Sequence, residues 1–237
     1  MIHIFTRTCR GLMLALVWVT YGLTLVHAQP ASKGAAPSLN ERFYDPNIGE
    51  WVTRFEGESR EIYARRHEIV AASGVKAGMT VADVGAGTGF MAILFAKQVG
   101  SSGKVIAAEL SKPFAAAIAQ RAKNEGAQNL STVWSTQIDT GLPADSVDIV
   151  FTSDVYHHIE QVAAILKSIR RALRVGGRFI VVDFERILGV SSQSTLDHVR
   201  AGKETVIEEV VAAGFRLREE VKTLNLKTNY YLIFERQ

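Results

Sequence analysis

Between Thr80 and Asp183, short apolar runs of strand length alternate with longer segments whose apolar residues recur at helical spacing. That alternation restricts the fold to a parallel sheet with helices on both faces, because successive parallel strands need long crossovers and helical crossovers cover the sheet. Strands are predicted at Thr80 to Val84, Lys104 to Glu109, Ser131 to Trp134, Val147 to Ser153 and Arg178 to Asp183. Helices are predicted at Phe90 to Val99, Pro113 to Glu125 and Gln161 to Leu173. Gly126 and Gly176-Gly177 stand where a left-handed cap would end a helix. After Asp183 the order changes. A helix from about Glu204 to Ala213 stops at Gly214, and two strand-like segments, Arg216 to Thr223 and Tyr230 to Phe234, predict an antiparallel pair at the sheet edge. The expected class is α/β: a Rossmann-like, doubly wound, mostly parallel seven-stranded sheet with a C-terminal antiparallel hairpin.

The segments before this pattern have other characters. Arg7 and Arg10 precede the apolar run Gly11 to Val26, and Val26-His27-Ala28 offers small or apolar residues at a cleavage point. Residues 1–28 are therefore expected to be an export signal that sends the protein to the periplasm or outside the cell. The alternative is an anchor over residues 11–26, although this run is shorter than the roughly 20 residues that span a bilayer comfortably. Membrane contact is expected only through this segment. The single cysteine, Cys9, lies inside it, so a cleaved chain has neither disulfide nor thiolate chemistry. Residues 29–40 read as a flexible linker, rich in Ala, Ser, Gly and Pro. Residues 41–74 read as amphipathic helices forming a lid, and residues 75–237 as the catalytic core. A net charge of +3 over 237 residues gives nucleic-acid binding no electrostatic support, and no such partner is expected.

The strand Thr80 to Val84 breaks into Gly85-Ala86-Gly87-Thr88-Gly89. Glycines at every second position let backbone N–H groups approach a ligand that a Cβ would exclude. A dinucleotide loop would need its third glycine where Phe90 stands, and a pyrophosphate would be repelled by Asp83 just before the loop. An α-amino group or a ribose would be attracted instead. Glu109 closes the next strand, where a carboxylate can accept hydrogen bonds from both ribose hydroxyls.

These stretches, with Val105 to Leu110, Leu142-Pro143, Ser146 to Val150 and Leu173 to Arg178, resemble the class I S-adenosylmethionine-dependent methyltransferases, in particular the ubiquinone/menaquinone-biosynthesis-like group. The resemblance covers roughly Met79 to Phe184. It implies S-adenosyl-L-methionine as cofactor, with Asp83, Gly85, Gly87 and Gly89 at its methionine end and Glu109 at its ribose. Ala86, Leu110, Ile138 and Asp139 complete the expected cofactor-binding set. Ile138 stands where many members carry an acid near the adenine, and Asp139, one step later, either takes that part or caps a turn.

Ligands of open α/β sheets lie beyond the carboxyl ends of the strands, which places Ser153-Asp154-Val155-Tyr156-His157-His158 beside the transferred methyl. Asp154, Tyr156 and His157 are the candidate catalytic residues, for orienting the acceptor or removing a proton. No metal is expected, since adjacent helix positions point apart and the sequence gives the two histidines no companion ligands. Trp51, Phe55 and Tyr63 with Arg54, Arg60 and Arg65 are expected either to close over a substrate or to form a solvated helix packed on the sheet. His198 and Arg200 are candidates for the opposite side of the cleft. The acceptor is expected to be a small molecule, and the resemblance to quinone-pathway enzymes would suit a lipid-soluble one. An exported cofactor-binding protein without turnover is the alternative.

Overall fold

The computed structural model describes Met1 and residues 34–237. The expected export signal past Met1, the apolar run 11–26 and Cys9 lie outside the described residues. Residues 34–40, in the stretch expected to be a linker, instead pack on the chain after the fourth strand. The Ala35 N–H donates to the Ile159 carbonyl at 2.9 Å, and Asn40 Nδ2 donates to the His158 carbonyl at 2.9 Å and to Glu160 Oε1 at 2.8 Å.

Three helices follow, α1 (Ile48–Phe55), α2 (Glu61–Ala64) and α3 (Arg66–Ala72). Helix α1 starts where Asn47 Oδ1 accepts from the Gly49 and Glu50 amides, which satisfies donors that a first turn leaves open. The core then alternates as the sequence predicts: β1 (Thr80–Val84), α4 (Phe90–Val99), β2 (Lys104–Glu109), α5 (Lys112–Asn124), β3 (Leu130–Trp134), β4 (Val147–Ser153), α6 (Val162–Ala172) and β5 (Leu173–Phe184). Two further helices, α7 (Gln193–His198) and α8 (Lys203–Ala212), precede β6 (Phe215–Glu220) and β7 (Asn229–Arg236). Helix α7 has only six residues and little apolar periodicity, which is why the sequence did not signal it.

The seven strands lie in the order β3-β2-β1-β4-β5-β7-β6. Only β7 runs against its neighbours, and it is inserted between β5 and β6. Gly176-Gly177 do not cap α6. Leu173 already pairs with Val147, Arg178 pairs with Ile149, and the residues between them form a bulge, with Gly176 at a φ of 75° that suits glycine.

Alternate residues of the central strands feed two cores. Val81, Ile149, Phe151 and Ile180 pack with α3, α4 and α5, whereas Ala82, Val84, Val150 and Val181 pack with α6 and α8. A period of two on strands buried on both faces gives this split. Helix α4 is apolar almost all round, with Phe90, Met91, Ala92, Ile93, Phe95 and Ala96 buried, as suits a helix enclosed between the sheet and its neighbours. The chain runs outward from β1 to β3 and returns to β4 beside β1. The reversal leaves a crevice at the carboxyl ends of β1 and β4, where ligands of such sheets bind. Among the described residues, no helix is long and apolar enough to cross a membrane.

Candidate active site

Asp83 and Glu109 end adjacent strands at this crevice, both buried. Glu109 Oε2 accepts from the Gly87 amide at 2.8 Å and Oε1 from the Ser111 amide at 2.9 Å. Asp83 Oδ2 has no hydrogen-bond partner, nor does the enclosed Ser111 hydroxyl. Burial pushes the Asp83 carboxyl up to about 7, with the Glu109 carboxylate adding to the shift and the Ala92 amide opposing it. Burial also raises Glu109, against the pull of its amide partners. An unpaired, desolvated carboxylate oxygen is costly unless a cation or donor completes it.

The glycines between them serve the protein as much as a ligand. At Gly85, φ 71°, a Cβ would stand 2.6 Å from Val155 Cγ1; at Gly89, φ 78°, it would stand 2.9 Å from Ile118 Cγ1. The sequence argument expected those Cβ atoms to block a cofactor, but neighbouring side chains already exclude them.

Two cavities adjoin at this end of the sheet. One of about 170 Å³ is walled by Asp83, Gly87, Glu109, Ser111 and Gln137. The other, about 560 Å³, is walled by Trp51, Arg54, His157, Ser194 and His198. They share Phe43, Phe55, Arg60, Asp154 and His158. Gly85, Ala86 and Leu110 also line the smaller cavity. Ile138 and Asp139 do not: Ile138 is 61% exposed, and Asp139 accepts from the Gly141 amide at 2.8 Å and pairs with Arg171 at 2.9 Å. Asp139 therefore holds a turn, and Gln137, Ser135 and Thr136 supply that wall.

Residues of α1 and of the chain beside it wall both cavities. Trp51 packs on Phe43, Phe55 and Phe114. The end of α1 is tied to α5 by the Glu56–Arg121 ion pair at 2.6 Å. Phe55 lies under the Arg60 guanidinium, 4.6 Å from ring centroid to carbon. Tyr63 and Arg65 do not join this wall: Tyr63 packs against Phe90, and Arg65 bonds Glu68 and the Leu224 carbonyl.

The three candidate catalytic residues separate. Asp154, at a φ of 50°, is occupied by Arg60 at 2.6 Å and by Asn229 Nδ2 at 2.6 Å. Burial raises its pKa while Arg60 opposes, and both of its oxygens are engaged by protein donors. Tyr156 turns into the core, where its hydroxyl meets Glu209 at 2.8 Å and its ring packs beside Arg200; it lines neither cavity. Arg200 is likewise turned to Glu209, at 2.7 Å. His157 does reach the larger cavity. Its Nδ1 lies 2.7 Å from Asp183 Oδ1, and a carboxylate accepts, so Nδ1 carries the proton and the lone pair of the neutral ring is on Nε2. Burial opposes protonation of His157, but Asp183, with Asp154 beyond it, raises its pKa. Burial and the neighbouring His157 push His158 down to about 2. The adjacent histidines do not point apart: their ring centroids are 4.2 Å from each other, and His198 joins them at 4.9 Å from each. A three-residue 3₁₀ turn, Tyr156–His158, rather than an α-helix makes this possible.

Residues 82–181 match the family model described as a methyltransferase domain. That stretch is what the chain shares with methyltransferase domains. Over 123 residues it is 30% identical to the ubiquinone/menaquinone biosynthesis C-methyltransferase of Marinomonas sp. (strain MWYL1), covering 52% of this chain and 49% of that protein. The Escherichia fergusonii protein of the same description is 29% identical over 115 residues, covering 48% of this chain and 46% of that one. The chain thus spans about half the length of the curated relatives it matches. In fold, an S-adenosylmethionine-dependent methyltransferase from Aquifex aeolicus superposes with a TM-score of 0.70 at 21% identity, over 80% of this chain and 98% of that one. Phosphoethanolamine N-methyltransferase 2 of Haemonchus contortus, in complex with S-adenosyl-L-methionine, gives 0.60 at 16% identity, over 81% and 61%. Asp83 and Glu109, which border the crevice, both lie within the matched stretch.

Proposed function

We propose that the protein is an S-adenosylmethionine-dependent methyltransferase that receives a small-molecule acceptor in the larger cavity. The observation that carries this reading is the partnerless oxygen of buried Asp83, beside Glu109 on the next strand and within the stretch shared with methyltransferase domains. Asp83 would hold the cofactor's α-ammonium, and Glu109 its ribose hydroxyls. When bound, the cofactor supplies a methyl group on a sulfonium, transferred by direct displacement to the acceptor. Alignment is the main demand of such a step. Arg60, fixed by Asp154, lines both cavities where they adjoin. His157, backed by Asp183, is the group placed to orient an acceptor or take its proton. Phe43, Trp51 and Phe55 give the larger cavity an aromatic wall.

The finer reading is a lipid-soluble acceptor met outside the cytoplasm. The aromatic wall of the larger cavity and the quinone-pathway names of the relatives support the first part; Arg7, Arg10, the apolar run and Val26-His27-Ala28 support the second. Calorimetry with S-adenosylhomocysteine tests the cofactor: wild type should bind, and Asp83→Ala and Glu109→Ala should each weaken binding at least tenfold. A wild-type protein that takes up no S-adenosylhomocysteine ends the reading. A compartment-dependent reporter fused after Gln237 tests export, and a cytoplasmic signal overturns it.

A further inference from the structure

His157, His158 and His198 each offer a ring nitrogen, and the three nitrogens lie within 4.8 Å of one another. The residues come from two elements, the 3₁₀ turn after β4 and the last position of α7, so nothing in their sequence spacing brings them together. All three line the larger cavity. His157 is 3% exposed and is oriented by Asp183, itself 1% exposed and accepting from the His157 and Phe184 amides as well. A histidine whose Nδ1–H is held by a carboxylate is the arrangement that fixes a ligating imidazole and raises its donor strength. His158 Nδ1 is enclosed with no hydrogen-bond partner.

We propose that these three histidines bind a divalent first-row transition metal of the zinc class, with the cavity side open to an oxygen ligand. Zinc takes three protein nitrogens at about 2.0–2.1 Å and leaves its fourth position to water or substrate in open sites. Tetrahedral geometry places such nitrogens about 3.3 Å apart, so the three rings, whose nitrogens lie within 4.8 Å of one another, need to close in by at most about 1.5 Å to ligate one ion. The charge around the site is mixed. Asp183 and Asp154 favour a cation, whereas Arg42 and Arg54, on the same cavity wall with their guanidiniums over Trp51, disfavour a bare one. An anionic oxygen ligand in the fourth position would reconcile the two, because it lowers the charge of the metal and attracts the arginines of the same cavity. With metal bound, His157 no longer takes a proton, so the site is read by binding rather than turnover.

The test is titration of the untagged full chain at pH 8 with Zn²⁺ alone, followed by calorimetry, and with Co²⁺ alone, followed by its visible absorption. One equivalent should bind, with a cobalt spectrum of low-coordinate nitrogen ligation. His157→Ala and His198→Ala should weaken zinc at least tenfold, while His67→Ala, exposed on α3, should leave it unchanged. His198 is only partly buried on a surface helix, so its variant keeps the test decisive even where His157→Ala unfolds. Absence of stoichiometric binding, or zinc binding that survives His198→Ala, overturns the proposal. S-adenosylhomocysteine binding without zinc binding removes this site alone; the reverse result removes the cofactor reading alone.

Discussion

The Arg60 guanidinium meets the Asp154 carboxylate at 2.6 Å, joining the chain between α1 and α2 to the loop after β4. Asp154 is almost wholly enclosed and accepts from Asn229 of β7 on its other oxygen. One buried carboxylate thus ties the lid, the crevice and the antiparallel strand together. Arg60→Ala leaves that charge with a single neutral donor. It should lower unfolding stability by about 3 kcal/mol, since removing one partner of a buried pair strands the other. Urea unfolding measures this, and a loss under 1 kcal/mol would show that the pair contributes little.

Asp83→Asn should move binding and stability in opposite directions. The wild-type carboxyl titrates at about 7 in the fold and near 3.9 in an unfolded chain. Its folded pKa is raised, so its contribution to stability is complete below pH 4 and is lost as pH rises through about 7. At pH 8 the ligand-free Asn variant should therefore melt higher than wild type, while its affinity for S-adenosylmethionine falls at least tenfold. Equal melting temperatures at pH 8 would contradict the burial argument.

The same titration gives wild type a pH profile. The ionised carboxylate is the form that attracts an ammonium, so cofactor affinity should increase from pH 6 to pH 8 and level off above. Calorimetry across that range checks it, and the slope should vanish in Asp83→Asn.

Gly85→Ala should destabilise by about 2 kcal/mol or more, because it combines a positive φ with a Cβ driven into Val155. Adding Val155→Ala should recover part of the loss, the backbone strain remaining. Thermal unfolding of the two variants and the double variant separates the contributions. A double variant no more stable than Gly85→Ala would refute the contact.

Tyr156→Phe removes a hydroxyl that meets Glu209 in the core. It should cost about 1 kcal/mol of stability, as loss of a hydrogen bond to a charged group held also by Arg200, and leave methyl transfer intact. A large fall in kcat without a fall in stability would return Tyr156 to the active site.

Strands and helices were legible where periodicity was strong. β1, β2, β4 and α4 have the predicted bounds, because runs buried on two faces and an all-apolar helix have no competing period. The bulge in β5 was misread as a helix cap because a glycine at positive φ serves both. Helix α7 was missed, being short and held by the Ser192 cap and the contacts of its neighbours rather than by an apolar face. Within the site, Asp83 and Glu109 were legible because strand ends in a parallel sheet fix where their side chains emerge. Asp139 was not, because its direction depends on Arg171, 32 residues later in the chain.

The sequence alone determined the parallel sheet, its helical cover, and a pair of carboxylates at the ends of its first two strands; local period and strand polarity suffice for that. Only the tertiary structure decided which groups of the Asp154-to-His158 segment face a ligand. Asp154 is taken by Arg60, Tyr156 by Glu209, and His157 and His158 are met by His198 of α7. Each of those outcomes is a contact between residues dozens of positions apart, set by packing and register, and no local pattern in the chain records it.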